Sequence, residues 1–243
     1  MGEISSHRAS QLLMTPFVIG QMPVLVGAFL LFVGTLQLSA EPVECSNPMV
    51  FVETSEPDLA ERVCTEAVAA VERLAACHIP QRFAINLQVV DRIVHAEEMC
   101  LGLFIPGEKI LKITSPNQFS AGIGPDNILS QIPTLELFDS LIVHELTHAL
   151  VDQQPYHGKQ CLENQEYIAY AMQLEAMPSA SRKILIDAAG GEIEVTGERL
   201  NAFVALAAPV KFAAWSWMHF TAPQNGCDFV GKLVSGETTL KFP

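Results

Sequence analysis

Ile142-Val143-His144-Glu145-Leu146-Thr147-His148-Ala149-Leu150 is the stretch on which the reading of this 243-residue chain turns. Two histidines stand four residues apart, a glutamate follows the first, and every other residue is uncharged. On a helix, residues four apart lie on one face, one turn from each other. His144 and His148 can therefore aim imidazole nitrogens at a single ion. Glu145 faces the same cavity and can take a proton from metal-bound water. Zinc suits two imidazoles plus a carboxylate and keeps a fourth position for water. The uncharged neighbours predict a helix buried on several sides, where three polar groups without a metal would be costly. The competing reading is a pair of ordinary hydrogen-bonded helix histidines beside an exposed Glu145.

Working outward, Thr134 and Glu136 mark the start of this helix, which ends near Gln153-Gln154 ahead of Pro155. Pro155-Tyr156-His157-Gly158 reads as a loop. A second helix is predicted over 163–177, stopped by Pro178, and a third over 179–189, with a break at Gly190-Gly191. Residues 197–220 read as helical with an interruption at Pro209, and the tail from Pro223 as turn-rich with edge-strand character. Upstream, Ser55-Glu56-Pro57-Asp58 opens a helix running to about Cys77, with Leu59, Val63, Ala67, Val71 and Leu74 at helical spacing. Residues 83–94, 101–105 and 110–114 read as strands. The last two form a hairpin around Pro106-Gly107-Glu108-Lys109. Residues 41–54 read as irregular and 115–133 as a loop. The expectation is a single α+β domain over 41–243: a short mixed or antiparallel sheet packed on the active-site helix, with a mainly helical C-terminal half.

A third metal ligand is needed. Glu163, Glu166 and Glu175 are the carboxylates on the next helix, and Asp152, one turn beyond His148, suits capping or orienting. Glu166 is the choice. The intervening loop lets the chain reverse, and Ala169, one turn on, permits close approach of the two helices. Glu163, one turn earlier on the same face, is the runner-up. His157 follows the first helix too soon to swing round easily.

His144-Glu145-Leu146-Thr147-His148 followed by Glu166 on a second helix resembles the zincin metallopeptidases, in the glutamate-ligand branch called gluzincins, over about residues 55–180. The resemblance implies a thermolysin-like core with zinc held by His144, His148 and Glu166, Glu145 as the catalytic glutamate, and a peptide or protein substrate. It also implies an edge strand that pairs with extended peptide, for which Ile110–Thr114 is the candidate. An oxyanion donor is required as well. His219 lies downstream, as that donor often does, and Tyr156, His157 and Tyr170 compete with it. A packed, hydrogen-bonded histidine is the other reading of His219. The chain departs from the best-known gluzincins at two places. Gln165, not asparagine, precedes Glu166, and no aspartate follows at the usual offset to orient the first histidine, for which Glu175 is the substitute.

Composition bounds the setting. Apolar residues make up 49%, enough for a sizeable core, and the net charge of −13 argues against nucleic acid as a partner. Glu3 and Arg8 cancel, so the acidic excess lies beyond residue 40. Residues 1–40 carry an uncharged apolar run and small residues at Ser39-Ala40. They read as a secretory signal peptide or an uncleaved N-terminal membrane anchor. Either one exports the rest to a periplasmic or secreted location. Six cysteines beyond residue 40 predict three disulfides among 15 possible pairings. Trp215 and Trp217 read as core. Two other functional readings compete with a zinc peptidase: a non-catalytic, zinc-stabilised envelope domain for binding or structure, and a disulfide-stapled domain without metal.

Overall fold

The computed structural model describes residues 41–95, 98–105, 107, 109–155 and 161–240. The expected leader or anchor at residues 1–40 lies outside them. The strands are β1 (Val43–Glu44), β2 (Val50–Glu53), β3 (Ile85–Val90), β4 (Ile93–His95), β5 (Glu98–Cys100), β6 (Gly102–Phe104) and β7 (Ile110–Thr114). The helices are α1 (Pro57–Ala76), α2 (Phe119–Gly122), α3 (Thr134–Asp152), α4 (Leu162–Ala176), α5 (Ser179–Ala188), α6 (Ala202–Ala207), α7 (Pro209–Phe220) and α8 (Gly226–Ser235). The fold is α+β with a helical C-terminal half, as the sequence predicts.

One mixed sheet has the order β1-β2-β3-β7-β6. β2, β3 and β7 run parallel, and β1 and β6 join antiparallel at the two edges. β4 and β5 form a separate hairpin. Alternation decides which face is inside. Val50, Val52, Ile85, Leu87, Leu111 and Ile113 are buried, while Glu53, Asn86, Gln88 and Lys112 take the other face. Each buried aliphatic side chain contributes roughly 1.5–3 kcal/mol relative to exposure. α1 carries the parallel crossover from β2 to β3, with Pro57 and Asp58 in its first turn and a buried stripe through Leu59, Val63, Ala67, Val71 and Leu74. α1 packs on β2 and on α3, and α3 packs on β6 and β7. Helices α4 and α7 close the far side of α3 and of α4, respectively.

Three expectations are corrected. Residues 50–53 are a strand, not irregular chain: Val50 and Val52 are fully buried and pair with the β3 register. The edge strand beside α3 is β6, not β7. The parallel pairing of β3 with β7 puts Ile110–Thr114 inside the sheet and pushes the short antiparallel strand outward. The tail forms α8, whose Val230, Leu233 and Val234 are buried at helical spacing, and Gly236 ends it in the left-handed conformation at φ 76°.

Three disulfides are expected, and the described residues show two. Cys45–Cys64 ties the β1–β2 segment to α1. Cys77–Cys227 ties the end of α1 to α8 across 150 residues of sequence. Cys100 and Cys161 stand outside these two bridges.

Candidate metal centre

Helix α3 presents the motif in a dry setting. Ile142, Val143, Leu146, Ala149 and Leu150 are buried around it, as are His144 and Glu145 themselves. Helix α4 crosses α3 and brings Glu166 to the two imidazoles. The Nε2 atoms of His144 and His148 are 3.2 Å apart. Glu166 Oε2 lies 3.7 Å from His144 Nε2, and Oε1 lies 3.6 Å from His148 Nε2. A tetrahedral zinc site with ligand bonds near 2.0–2.2 Å spaces its donors about 3.3–3.6 Å apart. The triangle's edges of 3.2, 3.6 and 3.7 Å lie close to that spacing, whereas the carboxylate is beyond hydrogen-bond distance of either ring. Among the described residues, these three form the group able to hold a metal ion.

The hydrogen bonds behind His144 fix its tautomer. Ser140 Oγ donates to the Leu137 carbonyl at 2.8 Å, so it can only accept from Gln173 Nε2 at 3.0 Å. Gln173 therefore turns Oε1 to His144 Nδ1, at 2.9 Å, and that nitrogen must carry the proton. His144 Nε2 is left with its lone pair facing His148 and Glu166, which is the form a metal requires. This orienting partner is neutral.

Burial dominates the electrostatics. It lowers His144 well below the usual histidine range, with His148 adding to the effect, and lowers His148 to about 4. It raises Glu166 to about 7. Glu145 is pushed up to about 8 by burial first and by the Glu166 charge second, against an opposing hydrogen bond from the Phe104 backbone. Two neutral imidazoles could ligate a divalent cation through their lone pairs, and its charge would offset that of the two buried carboxylates. Glu145 reaches the β6 backbone because residue 102 has no side chain. A Cβ there would overlap Glu145, lying 2.6 Å from its Cγ and 2.8 Å from its Cδ.

Comparison with protein families matches residues 50–243 to the one described as "Family of unknown function (DUF6639)". The chain belongs to that family. No curated protein and no solved structure matches it. The match begins at the first residue of β2 and takes in every element that builds the centre.

The remaining candidates separate cleanly. Glu163 is buried at the start of α4, outside the metal-holding group. Glu175 accepts from Trp217 Nε1 at 2.9 Å, so it does not take the orienting role proposed for it, which falls to Gln173. Asp152 accepts from the Gly107 backbone at 2.9 Å. His219 is hydrogen-bonded through Nδ1 to Tyr167 Oη at 2.9 Å and packs on Phe229, and none of its contacts reaches the metal-holding group. Tyr170 does come close: its ring lies 4.5 Å from that of His144, centroid to centroid. Tyr156 and His157 lie outside the described residues. Sequence reading missed Gln173, Ser140 and Gly102. A signal for the first existed, since Glu166, Tyr170 and Gln173 fall at i, i+4 and i+7 on one face of α4.

Proposed function

We propose that this chain is an exported zinc-dependent hydrolase, a peptidase, acting at His144, His148 and Glu166 with Glu145 as general base. One observation carries the reading: His144, a member of the donor triangle, lines a cavity of about 250 Å³ together with Glu145 and Tyr170. A purely structural zinc site is closed by four protein ligands. Among the described residues three converge, with space beside His144. That favours catalysis over the zinc-stapled binding domain.

A bound zinc ion would supply Lewis acidity to a water and to a substrate carbonyl. His144 and His148 would hold it through Nε2 and Glu166 would contribute the charged ligand, while Gln173 with Ser140 keeps the first ring in the right tautomer. Glu145 accepts the proton of the attacking water and passes it to the leaving nitrogen. Tyr170, rather than His219, is the oxyanion donor. Burial and the charges of Glu166 and Glu145 raise its phenol, so it stays protonated and able to donate. The free edge of β6, next to Glu145, offers backbone groups to an extended peptide. The two disulfides suit an oxidising location and so support export. Among the described residues no helix is long and apolar enough to cross a membrane.

Zinc content and peptide hydrolysis of the protein and of Glu145→Ala test this. The expected result is metal retained by both, with hydrolysis lost only in the variant. Absence of metal from both after zinc-replete expression would sink it.

A further inference from the structure

Beside Glu145 the cavity continues as a chamber of aliphatic side chains. Leu141, Leu174, Leu185, Val210 and Ala213 line it, with Leu129 and Leu137 at one end. A second hollow, also of about 250 Å³, lies on the other side of those two leucines and is lined by Phe119, Ile123 and Ile132 among others. Leu129 and Leu137 line both spaces, so they form a shared wall. Leu129 sits half-buried on a 3-10 turn over Ile128–Gln131, and Leu137 is buried in the first turn of α3.

We propose that the first chamber takes one bulky, uncharged side chain of the peptide substrate, and that the Leu129–Leu137 wall sets how long that side chain can be. The inference rests on the peptidase reading. The occupant follows from the lining. Glu145 is the charged group at the chamber's polar end, beside the reacting carbonyl, and both ends of the Gln173 amide are held by His144 and Ser140. A lysine or glutamate side chain would find no partner deeper in, and burying it unpaired is costly. Size points the same way. The whole pocket, its His144–Glu145 end included, measures about 250 Å³, and an apolar cavity of roughly 150 Å³ accommodates a benzene-sized ligand, so the aliphatic part has room for an isobutyl or phenyl group. Leu129 and Leu137 are the residues that such a group would meet between the two hollows.

Two peptide series test the proposal. Each varies one residue, on one or the other side of the scissile bond, through Ala, Leu, Phe, Trp, biphenylalanine, Lys and Glu. On one side only, Leu or Phe should exceed Ala in kcat/KM by roughly 10²-fold, with Lys and Glu poorest. Leu129→Ala joins the two hollows and should raise biphenylalanine relative to Phe by at least roughly tenfold. A flat profile, or one that Leu129→Ala leaves unchanged, overturns the proposal. A second arm needs neither turnover nor a variant. N-acetyl amides of Ala, Leu and Phe are titrated into the zinc-free protein with leucine methyl NMR as readout. Saturable shifts at Leu129 and Leu137 with Leu and Phe amides, but not with Ala amide, support the chamber. Such shifts without hydrolysis of any peptide would discard the peptidase reading and keep the chamber. Hydrolysis without side-chain preference and without shifts would do the reverse.

Discussion

Two buried histidine clusters flank α4, and they are built to opposite ends. At one, His219 meets Tyr167 Oη at 2.9 Å, with Asn225 donating to the His219 carbonyl at 2.7 Å and Phe229 packed against the ring. At the other, His144 and His148 point the same nitrogen at a common spot, 3.2 Å apart, and Glu166 stands 3.6–3.7 Å off, too far to hydrogen-bond. In the first cluster the Nδ1 and carbonyl of His219 each meet a partner at ordinary hydrogen-bond distance. In the second, two imidazole nitrogens and a carboxylate face one spot, the rings in contact with each other and the carboxylate held off at ion-pair distance. Burial is common to both, so burial alone does not identify a functional histidine. What sets the second cluster apart is three metal-ligand atoms within reach of one another.

The strongest way to break this contrast is to remove one member of the convergent pair. His148→Ala deletes a ligand and should bring bound zinc, measured by elemental analysis, to a small fraction of the wild-type stoichiometry and hydrolysis to background. Wild-type zinc content in that variant would show that the metal, if any, binds elsewhere.

The two clusters also share a residue type, which allows the same substitution in each. Tyr170→Phe removes a hydroxyl from the convergent cluster. Loss of one oxyanion donor costs about 10²-fold or more in kcat, with zinc content unchanged. Tyr167→Phe removes the hydroxyl that bonds His219. It should lower unfolding stability by about 1 kcal/mol, measured in denaturant, and leave kcat within a factor of two or so of wild type. The reverse pattern, turnover lost in Tyr167→Phe and kept in Tyr170→Phe, would return the donor role to the His219 side.

How much of this was legible beforehand depends on whether the signal is local. Glu166 follows from the loop predicted at 155–158, which lets the chain reverse, and from the small Ala169 that lets the second helix approach, while helix α3 and its three polar residues are readable because helical spacing places them without anything distant. The α1 stripe and the split at Pro209 were readable for the same reason. Strand order was not: β7 is interior because β3 pairs with it in parallel, a long-range choice that Ile110–Thr114 does not encode. β2 was missed because four residues ending in Glu53 look like coil until the parallel partner buries Val50 and Val52. The tail read as turns through Pro223 and three glycines, and its buried stripe counts only once α8 has something to pack on. His219 lies downstream of the motif, and position in sequence says nothing about which face of α7 meets α4. Gln173 escaped because a carboxylate was sought in that role.

Titration sharpens the contrast further, because only the convergent cluster holds carboxylates. In the zinc-free protein, burial and Glu166 raise Glu145 from an ordinary 4.5 to about 8. A folded-state value above the unfolded one means that Glu145 costs nothing below about pH 4.5 and removes stability progressively as pH rises toward 8. His144 and His148, lowered by burial, act the other way, removing stability as pH falls below the unfolded histidine value near 6.5. Comparing zinc-free wild type with zinc-free Glu145→Gln cancels the histidine contribution to first order. The stability difference in favour of the glutamine variant should then grow by about 2–3 kcal/mol between pH 5 and pH 7, followed by denaturant unfolding at each pH. Zinc should shrink that gain, since a cation at the triangle favours the ionised carboxylate. A difference that stays flat across this range would mean that Glu145 is not held in a dry site beside Glu166. It would also remove the electrostatic distinction between the two clusters, leaving geometry as the sole difference.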